Sequence, residues 1–235
     1  MEQIPAMQGI LAYLIDSGLA PCDDDEPQKL PAMQELADEM GVSRGKAREA
    51  LIAAQAYGIV EMRPGAGTYV RPFDFYQAIR PAVLYAIACD RENFEHFRKL
   101  RAYLEVTFWD EAVWALDAGD VERLDAIVTR AEAKLSGSPI QIPHAEHRQL
   151  HMRIFSKLEN PFVQGILRAY WDTYDVIEMN LFYQLSHYQA MWASHREMVD
   201  ALQAGRPADG KAVLREHFTI LEQQLRAPEP EPQQV

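Results

Sequence analysis

Four histidines carry most of the chemistry open to this chain. His147 and His151 are four apart, a spacing that projects both imidazoles from one face of a helix. His195 and His217 flank Ala204-Gly205-Arg206-Pro207, which reads as the turn of a helical hairpin. Residue 206 is their midpoint, so each lies eleven residues from the turn, roughly 16 Å along its helix at about 1.5 Å per residue. In an antiparallel hairpin, residues equidistant from the turn stand at one height. Imidazoles converging in a helical bundle bind divalent metals by preference, with zinc, nickel, copper and iron all open. The plainer reading of either pair alone is an amphipathic helix face.

The elements that would position these rings are helices. From about Tyr76 onward apolar residues recur at three and four, and candidate helices span 76–88, 92–118, 120–136, 144–158, 161–184, 187–204 and 208–226. Ser136-Gly137-Ser138-Pro139, Asn160-Pro161 and Asp209-Gly210 punctuate them. The expectation is an all-α bundle of six or seven helices over 76–226, with a disordered Pro/Glu-rich tail at 227–235. Phe108, Trp109, Trp114, Tyr170, Trp171 and Tyr174 fall at helical spacing and are expected as core or pocket wall.

The segment before the bundle reads differently. Leu30–Val70 reads as helix, tight turn, second helix and β-hairpin, the order of a winged helix-turn-helix, and sets the first domain at 1–71. Pro31 suits a first helical turn. Leu36, Ala37 and Met40 face a core, and Gly41-Val42 makes the turn. Ser43 is a good N-cap for the second helix. Arg44, Lys46 and Arg48 crowd the start of that helix, where recognition helices meet base edges and phosphates. Ala47, Ala50, Leu51 and Ala54 form its inner face. Strands at 59–63 and 68–71 flank Pro64-Gly65-Ala66-Gly67, whose glycines let backbone approach a phosphate.

Composition narrows the partners. The 235 residues carry a net charge of −12, so this is not a general nucleic-acid coating protein. Even residues 1–71 hold six Lys/Arg against eleven Asp/Glu. Asp23-Asp24-Asp25-Glu26 supplies much of the excess and is expected in a loop away from DNA. DNA binding must therefore rest on a focused, salt-sensitive cluster. Cys22 and Cys89 lack ligand-like spacing and fit a reducing cytoplasm. There is no apolar run of about 18 residues and no signal peptide, so no membrane partner is expected.

LPxxxELAxxxGVSRxxxREAL, followed by a G-[IV]-V strand and PGxGT-[YF]-V, resembles the N-terminal domain of the GntR family of bacterial transcription regulators. The resemblance implies DNA contacts at Arg44, Arg48, Arg63, Gly65 and Gly67. Where the family has Ser-Glu-Arg after Leu-Pro, this chain has Ala32-Met33-Gln34, so Gln34 replaces a phosphate-contacting arginine.

The C-terminal half resembles the FCD ligand-binding domain of the FadR-type branch. Its marks are Arg101-Ala-Tyr-Leu104-Glu105, His147-Arg-Gln-Leu150-His151, Asn160-Pro161, and the closing His195 and His217. The resemblance implies a divalent metal held by one Asp and three His, the latter mapping onto His151, His195 and His217. His147 stands where the family has Asp, which favours zinc, nickel or copper over manganese. Glu146 points about 100° away and substitutes poorly. Asp172 and Asp175 stay open as ligands, and Arg153 and Arg168 as helpers. His144 belongs near the start of the same helix as His147, and His96 and His187 are expected as exposed or core residues.

Arg101 and Glu105 form an i, i+4 pair, an ordinary surface salt bridge by spacing. The resemblance implies instead that Arg101 grips a small carboxylate effector with parallel hydrogen bonds. The whole reading is a mostly α regulator, cytoplasmic and homodimeric, that binds a palindromic operator under control of an organic acid. Repression is the commoner outcome in the family. The alternatives are a metal-sensing regulator and, less favoured for want of a placed general base, a metal-dependent enzyme.

Overall fold

A computed structural model describes residues 6–19, 27–177 and 184–226. The expected acidic loop at 23–26, the end of the helix expected to reach 184 and the tail at 227–235 lie outside the described residues. The chain divides within one helix into two units, Met1–Val83 and Leu84–Val235.

The N-terminal unit runs α1 (Ala6–Asp16), α2 (Met33–Glu39), α3 (Arg44–Ala56), β1 (Val60–Arg63) and β2 (Gly67–Val70). Ile10, Leu14, Leu36, Ala50, Leu51, Ala54, Val60 and Val70 form its core. Each large aliphatic side chain buried there contributes about 1.5–3 kcal/mol. Ser43 caps α3, its hydroxyl accepting from the Lys46 N–H at 3.3 Å. Pro31 falls outside α2, which begins two residues later, at Met33. The strands pair antiparallel with Val60 opposite Val70 and Arg63 opposite Gly67. Gly65 (φ 73°) and Gly67 (φ 114°) turn the hairpin in a backbone region that side chains disfavour. Residues 28–30 add a short third edge: Leu30 N–H donates to the Thr68 carbonyl and Val70 N–H to that of Gln28, both at 2.8 Å.

The fold continues with α4 (Phe75–Cys89), which crosses the division, and the C-terminal unit adds α5 (Glu92–Trp114), α6 (Ala118–Ser136), α7 (His144–Ile154), α8 (Pro161–Ile177), α9 (Leu185–Gln203) and α10 (Pro207–Arg226). Helix α9 packs on α10 and α6, α7 on α6 and α8, and α5 on α10 and α8. Trp109, Leu124, Leu150, Leu167, Trp192 and Leu214 lie in the shared core. Local chemistry sets the ends. Asp117 and Asp120 form a reciprocal capping box at α6, and Asn160 accepts the first amides of α8.

The α9–α10 turn closes with two hydrogen bonds. Gly205 N–H donates to the Leu202 carbonyl at 3.0 Å and Arg206 N–H to that of Ala201 at 2.8 Å. Gly205 has φ 67°, the left-handed residue such a helix ending requires. The helices end earlier than periodicity suggests, at Trp114 and Ile154 rather than 118 and 158. Trp114, expected as core or pocket wall, is 82% exposed: five residues after Trp109 it lies about 140° round α5, off the face that holds Arg101, Glu105, Trp109 and Ala112.

Candidate functional site

Helices α7, α9 and α10 bring the four histidines together. His147 and His151 share the inner face of α7, with ring centroids 5.0 Å apart. His195 and His217 meet across the α9–α10 hairpin at 4.5 Å. His195 is also 5.0 Å from His147 and 5.2 Å from His151, so it is the hub. Each ring offers a nitrogen, and these four atoms lie within 4.8 Å of one another. All four residues are buried. His151 Nε2 sits 3.2 Å from His195 Nε2. His147 Nε2, His195 Nδ1 and His217 Nε2 are buried without a hydrogen-bond partner.

Buried polar atoms of native proteins are nearly always satisfied, so the orphaned Nε2 atoms of His147 and His217, beside the His151–His195 contact, ask for a partner. A divalent cation would supply one. Four neutral nitrogens suit borderline metals such as zinc or nickel, not the oxygen-seeking manganese or magnesium.

Each ring has a partner on its far side or a packed wall. His147 Nδ1 is 2.9 Å from the Tyr174 hydroxyl. His151 Nδ1 is 2.8 Å from Glu105 Oε2. Trp171 and Trp192 pack edge-on to His147 at 4.9 and 6.3 Å. Burial above all, reinforced by the positive charge of Arg101 and for three of the rings by neighbouring imidazoles, holds all four far below the ordinary histidine value. The rings are therefore neutral at pH 7, the state that ligates metal.

Those shifts set an expected pH dependence for the metal-free protein. In the unfolded chain the imidazoles titrate near 6.5. Their folded values are lower, so below about pH 6.5 the unfolded state binds more protons and stability falls with pH. Each ring contributes up to about 1.4 kcal/mol per pH unit across that window. Burial raises the Glu105 carboxyl, the opposite sign, but that is one proton against four. With chelator present, the melting temperature should hold from pH 8 to 7 and drop steeply from 6.5 to 5. A flat profile over that range would contradict the neutral buried cluster.

The other candidates fall outside the cluster. Asp172 and Asp175 both pair with Arg148, at 2.9 and 2.6 Å. Glu146 pairs with Lys134 at 2.7 Å, and Arg153 turns to Asp120. His144 packs edge-on to Tyr188 at 6.0 Å, beside the cluster but not in it. His96 is exposed.

Arg101 is only 1% exposed and Glu105 fully buried. Arg101 Nε and Nη2 donate to the two Glu105 oxygens at 2.8 and 3.3 Å, and Nη1 to the Tyr170 hydroxyl at 3.5 Å. The i, i+4 pair forms, but in the core. Spacing carried that signal: positions 98, 101, 105, 109 and 112 lie on one face of α5, and that face holds the buried Trp109 and Ala112. The contacts of Glu105 and Tyr174 to the histidines join different helices, and residue spacing carries no signal of them.

In the N-terminal unit, Arg44, Lys46 and Arg48 are exposed on α3, beside its capped N-terminus. Gln34 is exposed on α2, with its amide donating to Asp38 at 3.0 Å. In the hairpin, Arg63 pairs with Glu61 at 2.9 Å and lies 4.5 Å over the Tyr69 ring. Gly65 and Gly67 are exposed at its tip. A groove of ≈ 660 Å³ runs between Lys29–Met33, Leu51 and the Met62–Thr68 hairpin. An exposed basic helix beside a glycine-tipped hairpin is the geometry of a winged DNA-reading head.

Residues 26–70 match the family described as bacterial regulatory proteins, gntR family, and residues 96–219 match the FCD domain. The chain is 26% identical over 203 residues to the HTH-type transcriptional regulator LutR of Bacillus subtilis (strain 168), across 84% of this chain and 91% of that protein. It is 24% identical over 204 residues to the putative L-lactate dehydrogenase operon regulatory protein of Escherichia coli (strain K12), across 82% and 76%. Among solved structures, the fold resembles a Streptococcus agalactiae GntR with TM-score 0.62 and 19% identity, covering 93% of this chain and 99% of that one.

Proposed function

The chain belongs to the GntR regulators that carry an FCD domain, and from that premise we propose a regulator whose DNA affinity is set by a small organic acid bound at a histidine-held metal. It is a transcription regulator and not an enzyme, as its relatives are named. In this reading the protein works as a homodimer in the cytoplasm. No described helix is long and apolar enough to cross a membrane.

The dimer places one α3 in each half-site of a palindromic operator. Arg44, Lys46 and Arg48 face base edges and phosphates from α3. Gln34, Arg63, Gly65 and Gly67 take phosphates along α2 and the wing. Zinc or nickel is held by His147, His151, His195 and His217, and when bound supplies a Lewis-acidic position for a carboxylate. The observation that carries the reading is the set of orphaned nitrogens in the buried four-histidine cluster. One relative is named for an L-lactate dehydrogenase operon, and lactate is a small hydroxy acid of the class proposed. In this reading the acid favours the conformation with weaker DNA affinity, and the DNA-bound protein represses, the commoner outcome in the family. Such coupling is about 1–3 kcal/mol, or roughly 5–150-fold in affinity.

The test is DNA binding by the full chain, selected against random duplexes to find its operator. Affinity would then be measured metal-free, with zinc, and with zinc plus a panel of acids from acetate and lactate to citrate. The expected result is a drop in affinity with an acid only when zinc is present. A drop with zinc alone would make the metal the effector. No response to any acid would overturn the proposal.

A further inference from the structure

Resting on the metal-centre reading above, we infer that the buried Arg101–Glu105 pair is a positioning device that presets His151 as a ligand. In this inference Arg101 acts through Glu105 and not on the effector. The first observation is direction. Glu105 Oε2 lies 2.8 Å from His151 Nδ1, and a carboxylate there accepts that nitrogen's proton. His151 Nε2 then carries a lone pair and no proton, and it is the atom that faces His195 Nε2 at 3.2 Å. A carboxylate behind a ligating histidine fixes its tautomer and ring angle, and raises its basicity.

The second observation is how Glu105 is held. Both its oxygens take hydrogen bonds from Arg101, at 2.8 and 3.3 Å. The guanidinium is itself fixed, with its carbon 4.5 Å over the Trp171 ring, 4.8 Å over Tyr170 and 5.1 Å over Phe218. Arginine in proteins does not lose its proton, so it offers Glu105 a permanent positive neighbour. With both oxygens already accepting from Arg101, Glu105 faces His151 Nδ1 as an acceptor too. A protonated Glu105 would donate to Nδ1 instead and would leave a proton on Nε2, where the metal must sit.

The third observation is charge. With His147 in place of an acid, the four ligands carry no negative charge. Glu105 is the carboxylate that touches a ligand, through its contact with His151. Its partner Arg101 is the cation that would otherwise be read as an effector anchor. Three of its donors are already spent on Glu105 and Tyr170.

Glu105→Gln keeps the shape and removes the charge, and the full chain carrying it should bind zinc about 10–100-fold more weakly in chelator competition. Nitrogen NMR of the metal-free protein gives an independent reading. His151 should be protonated at Nδ1 in the parent chain and mixed between tautomers in Glu105→Gln. Arg101→Gln separates the two roles for the arginine. Weaker zinc binding, with the acid response restored at saturating zinc, supports the relay. Unchanged zinc affinity with a lost acid response makes Arg101 an effector ligand and overturns it. Unchanged zinc affinity and tautomer in Glu105→Gln also overturn it. If the parent chain binds no zinc, the metal reading fails. The relay then stands or falls on the tautomer alone.

Discussion

His195→Ala should take metal content from about one ion per chain to near zero after exhaustive dialysis against buffer. His195 is the hub, within 4.5–5.2 Å of each of the other three rings. Removing it costs a ligand outright, so the loss of affinity should exceed the roughly 10–100-fold that follows from disturbing a residue behind a ligand. Alanine also leaves a cavity, and some stability will go with it. His195→Asn keeps more of the volume and separates the two effects. His96→Ala is the control, because His96 is exposed and away from the cluster. Elemental analysis decides the matter. A parent chain near zero after zinc or nickel is offered, or a His195→Ala protein that keeps its metal, would sink the centre.

The second large effect lies on the reading head. Arg44→Ala and Arg48→Ala should each weaken operator binding by about 1–3 kcal/mol if they contact bases, or roughly 5–150-fold. A contact to phosphate alone would weaken all sequences alike and lower the salt slope by about one. Both side chains are exposed, and alanine is the better helix former, so the fold should be untouched. Residues 1–71 hold only six basic residues against eleven acidic, and each lost arginine is a large fraction of the attraction. The double variant should bind near the non-specific level at 150 mM salt. Unchanged operator affinity in that variant would mean α3 does not read the site.

Much of this architecture is legible from residues alone, for physical reasons. Among the described residues, helices α4 to α10 follow from apolar spacing and from Gly, Pro and Asn at the breaks. The meeting of His195 with His217 follows from hairpin symmetry, and that of His147 with His151 from the helical repeat. What periodicity cannot carry is contact between distant segments. Glu105 meets His151 across 46 residues, and nothing local announces it. The strand-like edge at 28–30 is a similar case, since it exists only because β2 offers free backbone groups beside it. Trp114 shows the converse error. It recurs among the aromatics, but nine residues after Glu105 it falls about 180° round α5, on the side opposite the buried face.

The Gly205 turn carries a further consequence, one of chain length. His195 and His217 coincide because the connection between α9 and α10 holds a set number of residues, closed by the Gly205 and Arg206 amides. One residue inserted after Gly205 advances everything downstream by about 100° and about 1.5 Å. His217 would swing off the cluster while α10 stayed helical. The loop is therefore a counting device as much as a connector. An amino acid added at an exposed surface turn could unmake the centre as thoroughly as deleting one of its rings.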